Sequence, residues 1–346
     1  MNAKPGREAG SSYRTAVTLT PLSVEARVTV GSEGTSSAGE FVARLLGRNN
    51  VAPKDHDVLV LSSKVISFCE GDVIHLSSVK PRPRARVLGR IFGKDPRKVE
   101  LILRTGPIIA IIPLKWIMSI RSVRQASTSR AVDPDAMLRG YTSVNAFVFI
   151  VRAHAAYLDD AGIDYANTPD GHVSILPNDP CAVAAKIREG VHKAFGTDIA
   201  VIITDTVTML GRIGTQDIAI GYSGIDPTTR DSFSKDLFGT ARSGGMDLVV
   251  DSIAGMAGLI MGQTTEMTPG VLVHGVHYTS HEQTAIQHGT DELAYPRGAT
   301  WKMGLMGIVA TALFLLVELF TLPVRWCRSK SGKSSTNHPN TPKHRV

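Results

Sequence analysis

Asp205 and Thr206 stand where the apolar run 201–203 meets polar residues in VIITDTVTMLGRIGTQDIAIG, residues 201–221. Polar side chains that end a buried strand are held by a rigid element and open onto a cleft, where α/β proteins set their ligands. A second acidic turn, AGIDYANTPDG at 161–171, offers Asp164 and Asn167 between two glycine bends. Carboxylate, amide and hydroxyl oxygens of this kind suit Mg2+ or Mn2+, hard cations that keep waters and a substrate phosphate in their shell. The same aspartates fit a plainer reading, because an Asp in a glycine-rich turn bonds its own backbone as a turn-former or N-cap. On spacing alone, a divalent-metal phosphate site and ordinary turn chemistry are both open.

Other chemistries find no support. Cys69, Cys181 and Cys327 lie far apart with no C-x-x-C pair, so neither a zinc site nor a disulfide framework is expected, and a reducing compartment fits. No P-loop, no G-x-G-x-x-G after a strand and no G-x-S-x-G elbow occurs.

The elements that must position these residues follow from local signals. DVLVLSSKVIS from Asp57 predicts a strand running into a polar turn. DPRKVELILR predicts a helix with Asp95 as N-cap and Pro96 at its first position. DPCAVAAKIREGVHKAFG starts the same way at Asp179 and Pro180, keeps Val183, Ile187, Val191 and Phe195 on one stripe, and stops at Gly196. The strand IAVIIT follows, which makes 179–206 a helix-then-strand unit. DLVVDSIAGMAGLIMG from Asp247 predicts a further helix, and VLVHGV at 271–276 a strand after it.

With 346 residues, 43% hydrophobic and 20% charged, the chain has material for a large core, which points to a globular α/β or α+β protein rather than a disordered one. Residues 1–15, polar and basic, read as a disordered arm rather than a signal peptide. The net charge of +7 gathers in Lys80, Arg82, Arg84, Arg86, Arg90, Lys94, Arg97, Lys98 and Arg104, and again in the tail 325–346. Such patches attract phosphates, nucleic acid or anionic lipid. Without interleaved aromatics or a nucleic-acid motif, the first reads as a solvated face and nucleic acid is not expected as a partner.

The run MGLMGIVATALFLLVELFTLPV, 303–324, can cross a hydrocarbon core that needs about 20 apolar residues, and Glu318 is its one charge. It is the candidate transmembrane helix, with a buried core helix as the alternative. Arg325, Arg328, Lys330 and Lys333 open the basic, flexible tail 325–346. The segments at 108–120 and 144–158 carry Lys115 and Arg152 and read as core or interface rather than spans.

Taken in order, DVLVLSSKVISFCEGDVI, GKDPRKVELILR, AGIDYAN, LPNDPCAVAAKIREGV, VIITDT with GRIGTQDIAIG, and LIMGQTTE resemble the coenzyme F420:L-glutamate ligase (F420-0:gamma-glutamyl ligase) family over most of 55–275. The resemblance implies an α+β fold with a mixed sheet in two parts, assembled as an intertwined homodimer. The ligase-like domain would span 16–300, with an apolar insertion at about 107–158. It also implies an enzyme that uses GTP and Mg2+ or Mn2+ to join the amino group of L-glutamate to a carboxylate of the deazaflavin precursor, coenzyme F420-0. Residue by residue, it makes Asp164, Asp205 and Thr206 metal ligands and Gln263 a metal or nucleotide contact. Asn167, Ser63 and Lys64 become nucleotide contacts.

In that chemistry GTP converts the carboxylate to an acyl phosphate, metal ions bridge the phosphates, and the glutamate amine displaces phosphate. The planar fork of Arg212 suits a substrate carboxylate or phosphate, an ion pair with Asp217 being its other reading. Phe68 stands where the family has a lysine, and Val207, Thr208 and Met209 replace a Phe-Gly-Arg. These departures leave two further readings: a ligase acting on a different carboxylate, and a membrane-tethered nucleotide or deazaflavin binding module without turnover. The basic tail favours the cytoplasmic side, which a single crossing would set opposite residues 1–300. Nucleotide chemistry argues instead for a cytoplasmic catalytic part, with 303–324 re-entrant or interfacial, or with the large domain overriding the charge bias.

Overall fold

A computed structural model describes residues 16–28, 37–209, 212–229 and 232–280, with helical positions at 302, 306, 309 and 312. The chain divides into two units, Met1–Ala294 and Tyr295–Val346. The arm 1–15, most of 303–324 and the tail 325–346 lie outside the described residues. Among the described residues no helix is long and apolar enough to cross a membrane.

In chain order the first unit runs β1 (Thr18–Leu22), α1 (Ala38–Arg48), β2 (Val58–Ser62), α2 (Ser63–Glu70), β3 (Val73–His75), α3 (Pro83–Phe92) and α4 (Pro96–Thr105). It continues with β4 (Ile108–Ile112), α5 (Leu114–Ile117), α6 (Arg121–Thr128), α7 (Pro134–Arg139), β5 (Val148–Ala153), β6 (Ala156–Asp159) and β7 (His172–Ser174). It closes with α8 (Pro180–Phe195), β8 (Ala200–Thr208), β9 (Thr215–Ser223), α9 (Val249–Met261) and β10 (Gly270–His274).

The main sheet has the order β1-β10-β2-β8-β9. Only β2 and β8 run parallel, so the sheet is mixed and the expected α+β class holds. Alternation along β2 divides its side chains between two cores. Leu59 and Leu61 join Leu45 of α1 and Ile187 and Val191 of α8 on one face. Val58 and Val60 join Val250, Ile253 and Ala257 of α9 on the other. A strand buried on both sides reads as an unbroken apolar run, which is why VLVL and AVII carry no polar residue.

A second part holds the antiparallel sheet β4-β5-β6 and the pair β3-β7. Val99 and Ile102 of α4 pack there with Phe149, Val151 and Val173. The apolar segments expected to be core are therefore strands of this small sheet. Local helix signals hold as well: Asp95 accepts from the Arg97 N–H at 2.8 Å, Asp179 from the Ala182 N–H at 2.9 Å, and Gly196 ends α8 at φ 72. The helix expected from Asp247 starts instead at Val249 with no side-chain cap, and Asp251 accepts from the Ala219 N–H of β9 at 2.9 Å.

Two expectations fail at the same place. The polar turn after β2 does not exist, because α2 starts at Ser63 directly after the last strand residue, with no side-chain cap from Ser62. The strand expected to break at Thr204 runs on to Thr208, since β9 pairs with it throughout, from Thr204↔Ala219 to Thr208↔Thr215. What ends there is β2: Ser62↔Thr204 is the last parallel pair, and Asp205 is the first residue beyond it.

Candidate active site

Because α2 begins where β2 stops, its first turn lies beside the part of β8 that β2 leaves uncovered. Ser63 Oγ donates to Asp205 Oδ1 at 2.9 Å. The Lys64 ammonium pairs with Asp164 Oδ2 and donates to the Ala166 carbonyl at 2.6 Å. Asp164 Oδ1 accepts from the Ala166 N–H at 2.8 Å, so this aspartate is a turn-former and an ion-pair partner at once. Burial pushes the Asp205 carboxyl up to about 6, with the nearby Asp164 charge adding to the effect and the Ser63 hydroxyl, the Thr206 N–H and Lys64 opposing it. Gly162, at φ 68, lets the acidic turn close on this carboxyl: a Cβ there would lie 2.9 Å from Asp205 Oδ2 and 2.5 Å from Leu176 Cδ1.

The approach to that turn is left-handed over three residues, with φ 47 at Asp160, 64 at Ala161 and 68 at Gly162. L-residues resist this conformation by about 1–2 kcal/mol each, so something must hold it. Asp160 does so. Its carboxylate accepts from the Phe149 N–H at 2.9 Å and from the buried Lys94 Nζ at 2.6 Å, with the buried Lys98 Nζ at 2.9 Å. Burial alone would raise the Asp160 carboxyl, yet Lys98 and Lys94 hold it below the usual carboxylate range. One residue earlier, Asp159 Oδ2 accepts from the Thr208 N–H at 3.1 Å and from its hydroxyl, joining the turn to β8.

Thr206 belongs to a different cluster. Successive strand residues point to opposite faces, and Thr206 faces its register partner Asp217. Its hydroxyl donates to Asp217 Oδ1 at 2.6 Å and lies 3.1 Å from Gln263 Oε1, while Gln263 Nε2 donates to the same Asp217 oxygen at 3.1 Å. Asp217 is buried against α9, where a Cβ on Gly258 would come within 2.3 Å of its Oδ2. Asn167, at φ 55, donates from Nδ2 to the Thr264 carbonyl at 3.0 Å and so links the acidic turn to the segment carrying Gln263.

The candidate residues thus gather in two sets, Ser63–Asp205 with Lys64–Asp164, and Thr206–Asp217–Gln263, with Asn167 between. Thr206 does not share a face with Asp205. Arg212 is exposed, and among the described residues no ion pair joins it to Asp217, whose carboxylate is taken by Thr206 and Gln263. Phe68 is buried on α2, in the turn after Lys64. Val207 is buried in the main core and Thr208 is tied to Asp159, so the divergent VTM stretch is built into the fold.

Among the described residues no three of His, Cys, Asp and Glu stand close enough to hold a metal. A dication would therefore take Asp164 and Asp205 together with hydroxyl, carbonyl and water oxygens, a donor set that suits Mg2+ or Mn2+. An Asp205 carboxyl raised by burial and by the nearby Asp164 charge fits such an ion, and Lys64 supplies part of the positive charge there. Asp160, Lys94 and Lys98 are supporting residues that sequence reasoning missed, and no local signal points to their contacts. Asp217 was seen only as a partner for Arg212; its place opposite Thr206 follows once the hairpin register is known.

The sequence pattern described as F420-0:gamma-glutamyl ligase matches residues 33–275. Similar proteins include the coenzyme F420:L-glutamate ligase of Methanopyrus kandleri, 31% identical over 238 residues, 69% of this chain and 82% of that protein. That of Methanothermobacter thermautotrophicus is 30% identical over 252 residues, 71% and 88% of the two chains. A third, from Methanocaldococcus jannaschii, is 30% identical over 224 residues, 65% and 77%. With its mixed sheet, its acidic turn and its two polar clusters on β8, the chain belongs to the F420-0:gamma-glutamyl ligase family and is an enzyme of the ligase class.

Proposed function

We propose that the chain forms an amide between the amino group of L-glutamate and a carboxylate of coenzyme F420-0, with GTP as phosphoryl donor. The observation that supports this most is the meeting of Asp205 with Ser63, and of Asp164 with Lys64, just beyond the last β2–β8 pair, in a chain whose relatives carry this activity in their names. Bound Mg2+ or Mn2+ would neutralise the charge that develops on the transferred phosphoryl group. Asp164 and Asp205 would hold the ion, while Thr206 and Gln263 offer oxygens on the other face of β8.

Lys64 presents an ammonium to a nucleotide phosphate, and Ser63 fixes the orientation of the Asp205 carboxylate. Asn167 fixes the acidic turn while its side-chain oxygen is left for the nucleotide. Arg212, exposed and without an acidic partner, offers its fork to a substrate carboxylate or phosphate. The acceptor carboxylate attacks the terminal phosphorus of GTP, GDP leaves with the electrons of the broken P–O bond, and the carboxylate becomes an acyl phosphate. The glutamate amine then attacks the acyl carbon, the C–N bond forms, and phosphate leaves with the C–O bond electrons. A homodimer, a cytoplasmic catalytic unit and membrane attachment through 303–324 belong to the same reading.

A second reading keeps the chemistry and changes the acceptor. It is favoured by Phe68, buried where the family has a lysine, and by Thr208, engaged with Asp159 where the family has Phe-Gly-Arg. To test both, the full chain is incubated with GTP, Mn2+, L-glutamate and F420-0, and products are weighed by mass spectrometry. Gain of one glutamyl residue on F420-0 with release of GDP is expected. Glutamylation of another supplied carboxylate instead would favour the second reading. GTP binding with every acceptor unchanged would sink the ligase reading and leave a nucleotide-binding module. Fractionation of the full chain beside residues 1–300 tests the attachment, which equal solubility of the two forms would remove.

A further inference from the structure

Nine cations crowd residues 80–104, and the structure sorts them into two groups. Lys94 and Lys98 are buried on Asp160, Arg97 pairs with Asp95, and Arg82 and Arg104 share Glu100. Lys80, Arg84, Arg86 and Arg90 are left exposed, and no acidic partner faces them among the described residues. Three of these four lie on α3, whose sequence PRARVLGRIF contains no acid.

The helix carries bulky apolar side chains on its outer face as well as its inner one. Ala85 and Gly89 are its fully buried positions, Leu88 and Phe92 pack beside them on the Phe149 core, and the fit is close: a Cβ on Gly89 would lie 2.8 Å from the Lys94 carbonyl oxygen and 3.0 Å from Pro96 Cγ. Its bulky Val87 and Ile91 face outward, 57% and 64% exposed. They stand one turn apart and form a ridge, with Arg86 and Arg90 along one flank and Arg84 on the other.

We propose that this outer face of α3 docks on an anionic bilayer surface. A ridge of aliphatic side chains between arginines is what a helix lying in the interface presents: the ridge enters the headgroup boundary while the guanidinium groups stay level with lipid phosphates. Nucleic acid would satisfy the same cations but leave Val87 and Ile91 unburied, so lipid accounts for more of the face. The proposal is independent of the ligase reading and of any anchoring by 303–324.

The test is flotation of the full chain with vesicles of phosphatidylcholine alone and of phosphatidylcholine mixed with phosphatidylglycerol. The quantity read is the ratio of the two partition coefficients, which an uncharged apolar segment would not raise. Arg84→Ser/Arg86→Ser/Arg90→Ser should lower that ratio by on the order of 100-fold, about 5-fold per arginine, and added salt should lower it for the unaltered chain. Val87→Ser/Ile91→Ser should weaken binding to both vesicles and serves if the triple variant fails to fold. A ratio that the triple variant leaves unchanged, or binding to both vesicles that Val87→Ser/Ile91→Ser leaves unchanged, assigns the lipid preference to the basic tail and overturns the proposal. So does loss of binding to a random-sequence single-stranded RNA with vesicle binding intact. Unchanged thermal unfolding of each variant is the control for fold.

Discussion

Asp205 and Thr206 are adjacent in β8, yet their side chains end in clusters of opposite character. On one face, Asp205 is half-buried near a second carboxylate, its carboxyl is pushed up to about 6, and the effect is only partly offset by Ser63 and Lys64. On the other, Thr206 and Gln263 both bond a single carboxylate, Asp217. The first cluster sets two carboxyls beside one ammonium; in the second one carboxylate accepts hydrogen bonds from neutral neighbours. The difference predicts different losses when each is disturbed.

The largest effect is expected from Asp205→Asn. It should lower ligation by about 10³-fold or more, on the scale of removing a principal electrostatic group from an active site. Stability should hold or rise, because the amide removes a buried charge that folding disfavours. Asp217→Ala should do the reverse in part, costing about 1–3 kcal/mol by leaving the Gln263 amide without its acceptor and the Thr206 hydroxyl with only Gln263 Oε1. Steady-state rates and chemical denaturation on the two variants decide the matter, and a larger stability loss in Asp205→Asn than in Asp217→Ala would reverse the assignment. Gly258→Ala probes the second cluster without deleting a polar atom. Its Cβ must displace Asp217 Oδ2, at a cost of about 1–2 kcal/mol, less than Asp217→Ala because the Oδ1 bonds can survive.

How much of this was readable beforehand depends on how local each cause is. The helices at Asp95 and Asp179 were legible because their caps bond within three residues, and the unbroken apolar run of β2 announced a strand. Asp164 and Asp205 were legible as a pair of acids in turn and strand contexts. The extension of β8 to Thr208 was not, because its polar residues are held in strand by β9, and so the division of Asp205 from Thr206 onto two faces was hidden too. SSK after β2 looked like a turn because hydroxyls serve turns and N-caps equally, and only the packing of Val65 and Ile66 decides for the helix. The Asp160 clamp joins α4, the α3–α4 connection and β5 across long stretches of chain, and nothing in the local pattern of any of the three points to the others.

The smallest effect is a pH dependence that only the first cluster should show. A carboxyl raised from 3.8 to about 6 keeps its proton in the folded chain at a pH where the unfolded chain has lost it. Between those values the folded state binds more protons, so stability falls as pH rises through the window; the penalty is absent below about 4 and complete above about 6. Allowing for the partial exposure of Asp205, it amounts to on the order of 1 kcal/mol. Asp72, also raised to about 6 by burial and by Glu70, adds a step in the same window. Asp205→Asn should therefore shrink the step without abolishing it, and Asp217→Ala should leave it whole. At the proposed cation site Mn2+ would take the ionised form of Asp205, so it should offset the Asp205 part as pH rises and leave the Asp72 part in place. Thermal unfolding from pH 4 to pH 7, with and without Mn2+, separates the two. A Mn2+ effect that survives Asp205→Asn but disappears in Asp217→Ala would move the cation to the other face of β8.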